Sequence, residues 1–157
     1  MATTRTSTPT LTLPALAPVY EKVGPLSETA VRVAAGLFLV PHGAQKLFGW
    51  FGGYGLEATG QFFEQNLGYA NGYAAALAAG SVEFFGGLML AVGLLTRISA
   101  GAATVLLLVA MGVHLPNGFF WNAGGYEYAL MWAIVTAMYV AKGGGAYSVD
   151  RLIGREL

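Results

Sequence analysis

The sequence predicts an all-α fold, an integral membrane four-helix bundle with both termini cytoplasmic. Only 10% of the 157 residues are charged, against about 25% in a typical soluble domain, so too few charges exist to coat a soluble surface. The mean hydropathy is +0.58, and the apolar residues fall into four long runs. We therefore expect one domain that lies in the lipid bilayer and crosses it four times.

Charge and residue usage exclude several functional classes. The formal net charge is zero, and no basic run alternates with aromatic residues, so no nucleic-acid partner is expected. The chain has no cysteine. Disulfides, thiolate catalysis, cysteine-ligated metals and iron–sulfur clusters are therefore excluded.

Residues 1–26 are predicted to form a flexible cytoplasmic arm, because closely spaced prolines remove backbone donors and disfavour a helix. Ser27 then offers a side chain that can cap a helix N-terminus. We place the four-helix domain at residues 27–142 and a short cytoplasmic tail at 143–157. The prolines of the arm are Pro9, Pro14, Pro18 and Pro25.

The first span is predicted from near Ser27 to about Trp50, roughly 35 Å at the helical rise, which is enough to cross a bilayer. Pro41 is expected to kink it. Residues 51–68 form an outer connection, in which LEATGQFFEQNLG predicts a short interfacial helix. The remaining spans cover about 69–95, 98–115 and 126–140, with a tight turn at 96–97 between the second and third.

Small residues recur every four positions along the second span, which places them on one helix face. Such a stripe lets another helix approach closely. We predict that a second copy of the chain packs on it to form a homo-oligomer. The stripe consists of Gly68, Gly72, Ala76 and Gly80.

Orientation follows from the basic residues, which concentrate on the cytoplasmic side of membrane proteins. Only Lys46 lies toward the opposite side, so both termini are expected inside. The basic residues on the predicted cytoplasmic side are Arg5, Lys22, Arg32, Arg97, Lys142, Arg151 and Arg155.

A few ionisable residues interrupt the apolar spans. A central Asp, Lys or Arg costs about 2.5–3.5 kcal/mol on insertion scales, so such groups usually face the bundle interior. The rise along each span puts Glu83 near the midplane and His42 roughly 5 Å outward. The other candidates lie further out, at the mouth of the same zone. The candidate ligand-binding residues are His42, Lys46, Glu83, His114, Glu127 and Trp50.

Each candidate also has a structural interpretation. Glu83 is either a proton acceptor or the partner of a structural ion pair with Lys46 or Arg32. His42 and Lys46 share a helix face. They either bind a quinone carbonyl or an anionic group, or they have structural roles. In the structural roles His42 satisfies the carbonyls freed by Pro41, and Lys46 snorkels to the outer interface. Arg32 is expected to snorkel. His114 can cap the end of a helix. Glu127 lies near a helix N-terminus, where its negative charge favours the helix dipole.

The sequence contains no pattern typical of a metal-binding site, so no metal site is predicted. The chain has only two histidines and lacks both CxxCH and His-Glu-x-x-His. His42 and His114 differ in depth by roughly 8 Å from the rise per residue, which argues against haem.

The motifs resemble the DoxX family of small four-span membrane proteins over roughly residues 28–152. The resemblance implies a cytoplasmic (inner) membrane protein of a bacterium or archaeon, and it links the family to quinone-dependent respiratory complexes and oxidative-stress responses. The matching pieces are PHGAQKLFGWFGG after the Arg32-led first helix, EFFGG leading to GLLTR, NGFF, Glu127 and GGGAYSVDRL.

Three functions are open at this point. The chain is a redox-associated subunit of a membrane complex, in which His42, Lys46 and Glu83 orient a quinone as the only cofactor expected. It belongs in that case to a quinone-dependent oxidoreductase whose partner supplies electrons. Alternatively it is a non-catalytic scaffold or assembly subunit for a redox or stress-response complex. A small transporter is the third interpretation.

Overall fold

The computed structural model describes residues 10–156, and every regular element in that range is a helix. The predicted all-α bundle, with a short helix after the first span, is confirmed. A π-helical turn, Val82–Gly86, joins α3 to α4, so these form one continuous rod. The α-helices are α1 (Ala17–Phe48), α2 (Gly55–Leu67), α3 (Gly72–Ser81), α4 (Gly87–Val92), α5 (Thr96–His114), α6 (Glu127–Lys142) and α7 (Val149–Leu152).

Within residues 10–156, three helical segments are long and apolar enough to cross a membrane: Pro14–Phe48, Gly72–Val92 and Thr96–Asn117. The fourth predicted span corresponds to α6, whose 16 residues rise roughly 24 Å. It runs antiparallel to α5. Arg97 near the start of α5 donates to Val140 O, and Thr104 Oγ1 donates to Thr136 Oγ1 over 2.9 Å.

The first helix begins at Ala17, ten residues before the predicted start. The expected N-cap at Ser27 is therefore wrong, and so is the flexible arm for residues 17–26. Pro18 lies in the first turn, where a missing N–H costs no helical hydrogen bond. The helix continues through both Pro25 and Pro41, and the Ser27 hydroxyl donates back to Gly24 O over 2.8 Å. The part of the predicted arm at residues 1–9 lies outside the described residues.

Glycines bring α1 against the α3–α4 rod backbone to backbone. A Cβ on Gly36 would lie 2.6 Å from Ala91 N, closer than real Cβ contacts. A Cβ on Gly43 would collide with Phe84 N and lie 2.7 Å from Gly80 O. The π-helical turn therefore packs directly on the C-terminal part of α1, next to His42.

The predicted oligomer stripe is used inside the chain. Ala76 is fully buried, a Cβ on Gly72 would collide with Gly60 O in α2, and one on Gly80 would lie 2.8 Å from Leu47 Cδ2 in α1. Gly72, Ala76 and Gly80 are therefore covered within the chain, whereas Gly68 is exposed with nothing within 4 Å of a Cβ placed on it. Homo-oligomer formation stays a prediction. The close approach that small residues allow takes place within one chain.

The bundle has two ends that differ in their connections. We call the end formed by residues 49–71 and 115–126 the loop end. We call the end formed by the turn at 93–95 and by residues 143–156 the tail end. In that turn Gly93 and Leu95 have φ of 74° and 45°, so the hairpin reverses just before the predicted 96–97 position, and Thr96 already begins α5.

Candidate functional site

A cavity of about 340 Å³ opens at the loop end between α1, the π-helical turn, α5 and α6. Four of the six predicted ligand-binding residues line it. His42 and Lys46 come from α1, Glu83 from the π-helical turn and His114 from the end of α5. Its aromatic walls are Phe38, Trp121, Tyr128 and Trp132.

Lys46 and Glu83 form an ion pair in this cavity. The Lys46 ammonium donates to both carboxylate oxygens of Glu83, over 2.7 and 2.9 Å, and also approaches His42 O at 3.4 Å. Both side chains are largely buried. Of the two ion-pair partners considered for Glu83, the structure therefore selects Lys46.

The position of Glu83 depends on the π-helical turn. A π turn accommodates one more residue than an α turn, and such turns often occur at functional sites. The turn at Val82–Gly86 meets α1 at Gly43, where only a missing side chain permits the contact. His42 and Lys46 flank Gly43 in sequence, so this contact brings Glu83 within reach of Lys46.

His114 is held by the loop before α6. Its Nδ1 lies 2.8 Å from Gly124 O, and Asn117 Nδ2 donates to the same oxygen over 3.1 Å. A carbonyl oxygen can only accept, so Nδ1 must carry the proton. In the neutral ring Nε2 is then an acceptor.

Two other cavity groups have polar atoms without a protein partner among the described residues. The His42 ring makes no hydrogen bond within residues 10–156, so it does not satisfy the carbonyls that Pro41 frees. Trp132 Nε1 is buried without a partner. Buried unpaired donors are uncommon and call for a specific explanation.

Glu127 and Trp50 lie outside the cavity lining. Glu127 Oε2 accepts from Trp121 N over 3.1 Å and so supports the loop before α6. Trp50 packs on Phe48, with ring centroids 5.0 Å apart, and on Phe84. These two predicted residues support the surroundings of the cavity.

Sequence reasoning missed the aromatic walls of the cavity. Phe38, His42 and Lys46 recur every four residues on α1, and Tyr128 and Trp132 do so on α6, so each set shares a helix face. That spacing is the signal that could have identified them.

Arg32 lies at the tail end, far from Glu83. Its side chain is only 1% exposed, so it neither snorkels nor pairs with Glu83. Nη1 donates to Leu90 O and Ala91 O, each over 2.7 Å, and Nη2 donates to Tyr147 O over 2.6 Å. Arg32 therefore joins α1 to the end of α4 and to the tail.

Asp150 also lies at the tail end, where its carboxylate accepts hydrogen bonds from the start of α5. Oδ1 accepts from Leu95 N over 2.7 Å, and Oδ2 accepts from both Thr96 N and Thr96 Oγ1, over 2.8 and 2.7 Å. Burial opposes ionisation, but these hydrogen bonds outweigh it, and the pKa of Asp150 lies below its ordinary value. The predicted tail is therefore docked on the bundle and caps the N-terminus of α5.

Comparison with known proteins identifies one family and one relative without an assigned function. The family model described as DoxX matches residues 28–116. A protein of Haemophilus influenzae, described as "Uncharacterized protein", is 32% identical over 104 residues, which cover 60% of this chain and 78% of that relative. No solved structure matches. The matched range holds Arg32 and the four predicted cavity residues, whereas α6 and the docked tail follow it.

Proposed function

This chain belongs to the DoxX family of membrane proteins, and from that premise we propose that it is a quinone-linked subunit of a redox complex. The ligand is a neutral, lipid-soluble ring of the quinone class, bound in the loop-end cavity. The bacterial or archaeal cytoplasmic membrane is the proposed location, with the loop end facing outward. Electrons come from a partner protein.

The observation that carries this proposal is the convergence of His42, Lys46, Glu83 and His114 on one cavity. These residues come from three separate segments of the chain. The volume of about 340 Å³ lies within the range of small-molecule sites, about 300–1,000 Å³. A few polar groups among aromatic walls are what such sites use to orient a flat ring.

The charge balance favours a neutral ligand over an anionic one. Lys46 is neutralised by Glu83 at 2.7 Å, and the remaining cavity residues include no other Lys or Arg. An anion would have to compete with the Glu83 carboxylate for the same ammonium group. A quinone ring carries no charge and avoids that competition.

Cavity filling tests the site. Ala110 lines the cavity, whereas Val109 beside it is exposed on the outer face of α5. A short-chain benzoquinone is titrated into detergent-solubilised protein while the fluorescence of the cavity tryptophans is followed. We expect saturable 1:1 binding in the wild type and in Val109→Phe, and affinity at least tenfold lower in Ala110→Phe. Equal affinity in both variants would place any binding elsewhere, and no saturable binding to the wild type would refute the proposal.

A scaffold function is the second candidate. The loop end exposes a set of large aromatic side chains on which a redox enzyme or a stress-response complex can dock, and the Lys46–Glu83 pair is satisfied without a ligand. Chemical cross-linking in native membranes tests this. Capture of one partner by protein that binds no quinone would favour the scaffold. The exposed aromatic residues are Phe51, Tyr54, Phe120 and Trp121.

A further inference from the structure

We propose that the cavity selects the hydroxyl-bearing, reduced form of its ring ligand, and that His114 Nε2 is the atom that distinguishes hydroxyl from carbonyl. The inference deepens the proposed function and rests on it. It concerns which form of the ligand is bound.

The first step is the state of the His114 ring. Nδ1 donates to Gly124 O over 2.8 Å, and Asn117 donates to the same oxygen, so the loop holds the ring from one side. The free nitrogen is then Nε2, which in the neutral ring accepts a hydrogen bond and cannot donate one. A hydroxyl can satisfy that acceptor, whereas a carbonyl oxygen cannot.

The second step concerns Lys46, the cation that a carbonyl would otherwise use. An ammonium group has three donors. The Lys46 ammonium group has three acceptors around it, namely the two carboxylate oxygens of Glu83, at 2.7 and 2.9 Å, and His42 O at 3.4 Å. Lys46 can therefore serve a ligand carbonyl only by giving up part of its ion pair, and its role is to hold Glu83.

The third step is the remaining polar group, His42. Its ring has no partner within residues 10–156, so either nitrogen is free to donate or to accept. A hydroquinone, whose two hydroxyls each donate and accept, can satisfy His42 and His114 together. A quinone has only acceptors, so it can bond to His42 but leaves His114 Nε2 unpaired. A site built for a hydroxyl discriminates against analogues that lack it. Because the His114 side chain is exposed, water can also reach Nε2, so the expected preference is modest, about tenfold.

The test compares three probes of one ring: an alkylated hydroquinone, its quinone and its dimethyl ether. Each is titrated anaerobically into the full-length protein in detergent. We expect the hydroquinone to bind about tenfold more tightly than the other two in the wild type. In His114→Phe that ratio should fall to about one. Asn117→Ala, which removes the other contact to Gly124 O, should keep it.

The outcomes separate this inference from the proposed function. If none of the probes binds the wild type, the proposed function itself fails. If all three bind equally, the ligand class stands and the selection of the reduced form is wrong. If the preference persists in His114→Phe, another group makes the distinction and the assignment to His114 is wrong.

Discussion

Arg32 at the tail end and Lys46 at the loop end are both cations on α1, buried or nearly so, yet their surroundings differ. Arg32 bonds three backbone carbonyls and joins α1, α4 and the tail. Lys46 bonds a carboxylate at the edge of a cavity. The carbonyls at a helix C-terminus lack helical partners. Arg32 therefore supplies hydrogen-bond donors to carbonyls at the end of α4 and in the tail.

The difference supports the proposal that the tail end stabilises the fold and the loop end binds a ligand. At the tail end Arg32 Nη1 and Nη2 and the Asp150 carboxylate bond to backbone groups, while Arg32 Nε is buried without a partner within the described residues. At the loop end His42, His114 Nε2 and Trp132 Nε1 have no partner within the described residues, and space lies beside them. Trp132 Nε1 is buried, whereas the His42 and His114 side chains are exposed, and polar groups that converge on a cavity with aromatic walls indicate a candidate ligand site. We therefore expect mutations at the tail end to change stability and those at the loop end to change binding.

Replacing Arg32 should have the largest effect on stability. Arg32→Leu leaves the carbonyls of Ala91 and Tyr147 without this donor, whereas Leu90 O still accepts from Gly93 N. Hydrogen bonds to a charged group are worth about 1.5–3 kcal/mol each. We expect the free energy of unfolding to fall by about 3 kcal/mol or more, measured by titration with SDS in mixed micelles.

Arg97 provides a matched control for Arg32. It also donates through Nη1 to two successive carbonyls at a helix end, Val140 O and Ala141 O, but a third of its side chain is exposed. Water can replace an exposed donor, so Arg97→Leu should cost about 1 kcal/mol or less. Equal losses for the two variants would show that burial does not distinguish them, and the proposed division between the ends would be weakened.

Breaking the loop-end ion pair should have an intermediate effect. Glu83→Gln leaves Lys46 largely buried without its counter-charge, which we expect to cost about 2 kcal/mol. The double variant Lys46→Met with Glu83→Met removes both charges, so it should lie within about 1 kcal/mol of the wild type. With the single variants Lys46→Met and Glu83→Met, this double variant completes a double-mutant cycle on the free energy of unfolding, which measures the coupling.

The exposed pair Lys142–Glu28 is the control for that cycle. Glu28→Gln should change the free energy of unfolding by less than about 1 kcal/mol, since exposed ion pairs contribute little. A double variant at Lys46 and Glu83 that is as unstable as Glu83→Gln would mean that the pair is required by the fold. The loop end would then resemble the tail end.

The loop-end site was predictable in part because its charged residues stand out on apolar helices. His42, Lys46, Glu83 and His114 were found by the cost of placing such groups in a membrane. The tail-end contacts were not predictable in the same way. Arg32 bonds carbonyls 58, 59 and 115 residues away, and a backbone carbonyl has no signature in the sequence.

The errors at the helix boundaries have a related cause. The prolines up to Pro25 were interpreted as a flexible arm, but a helix can continue through an isolated proline when its other hydrogen bonds remain, as α1 does at Pro25 and Pro41. The glycine stripe correctly indicated a close helix contact, but composition does not say whether the contact lies within the chain or between copies. The helical character of the chain was easier to predict because it depends on apolar content and run length alone.

The smallest expected effect is a pH dependence at the tail end. The pKa of Asp150 falls on folding because Thr96 and Leu95 donate to the carboxylate, despite its burial. A carboxyl of this kind stabilises the fold above its unfolded pKa of about 3.9, and that stability is lost as the pH falls through the lower folded pKa. Asp150→Asn should therefore lower the free energy of unfolding by about 1–2 kcal/mol at pH 7. At pH 3 the difference between the variant and the wild type should be smaller.

Glu156→Gln is the control for Asp150→Asn. Glu156 also accepts from a tail-end backbone donor, Gly144 N, over 2.8 Å, but its side chain is 41% exposed. The free energy of unfolding of Glu156→Gln, measured by the same SDS titration, should stay within about 1 kcal/mol of the wild type at both pH values. If the deficit of Asp150→Asn does not narrow at low pH, the Asp150 charge is not what holds the tail. Arg32 would then be the main polar link between the tail and the bundle, and its loss should release the tail without unfolding α5.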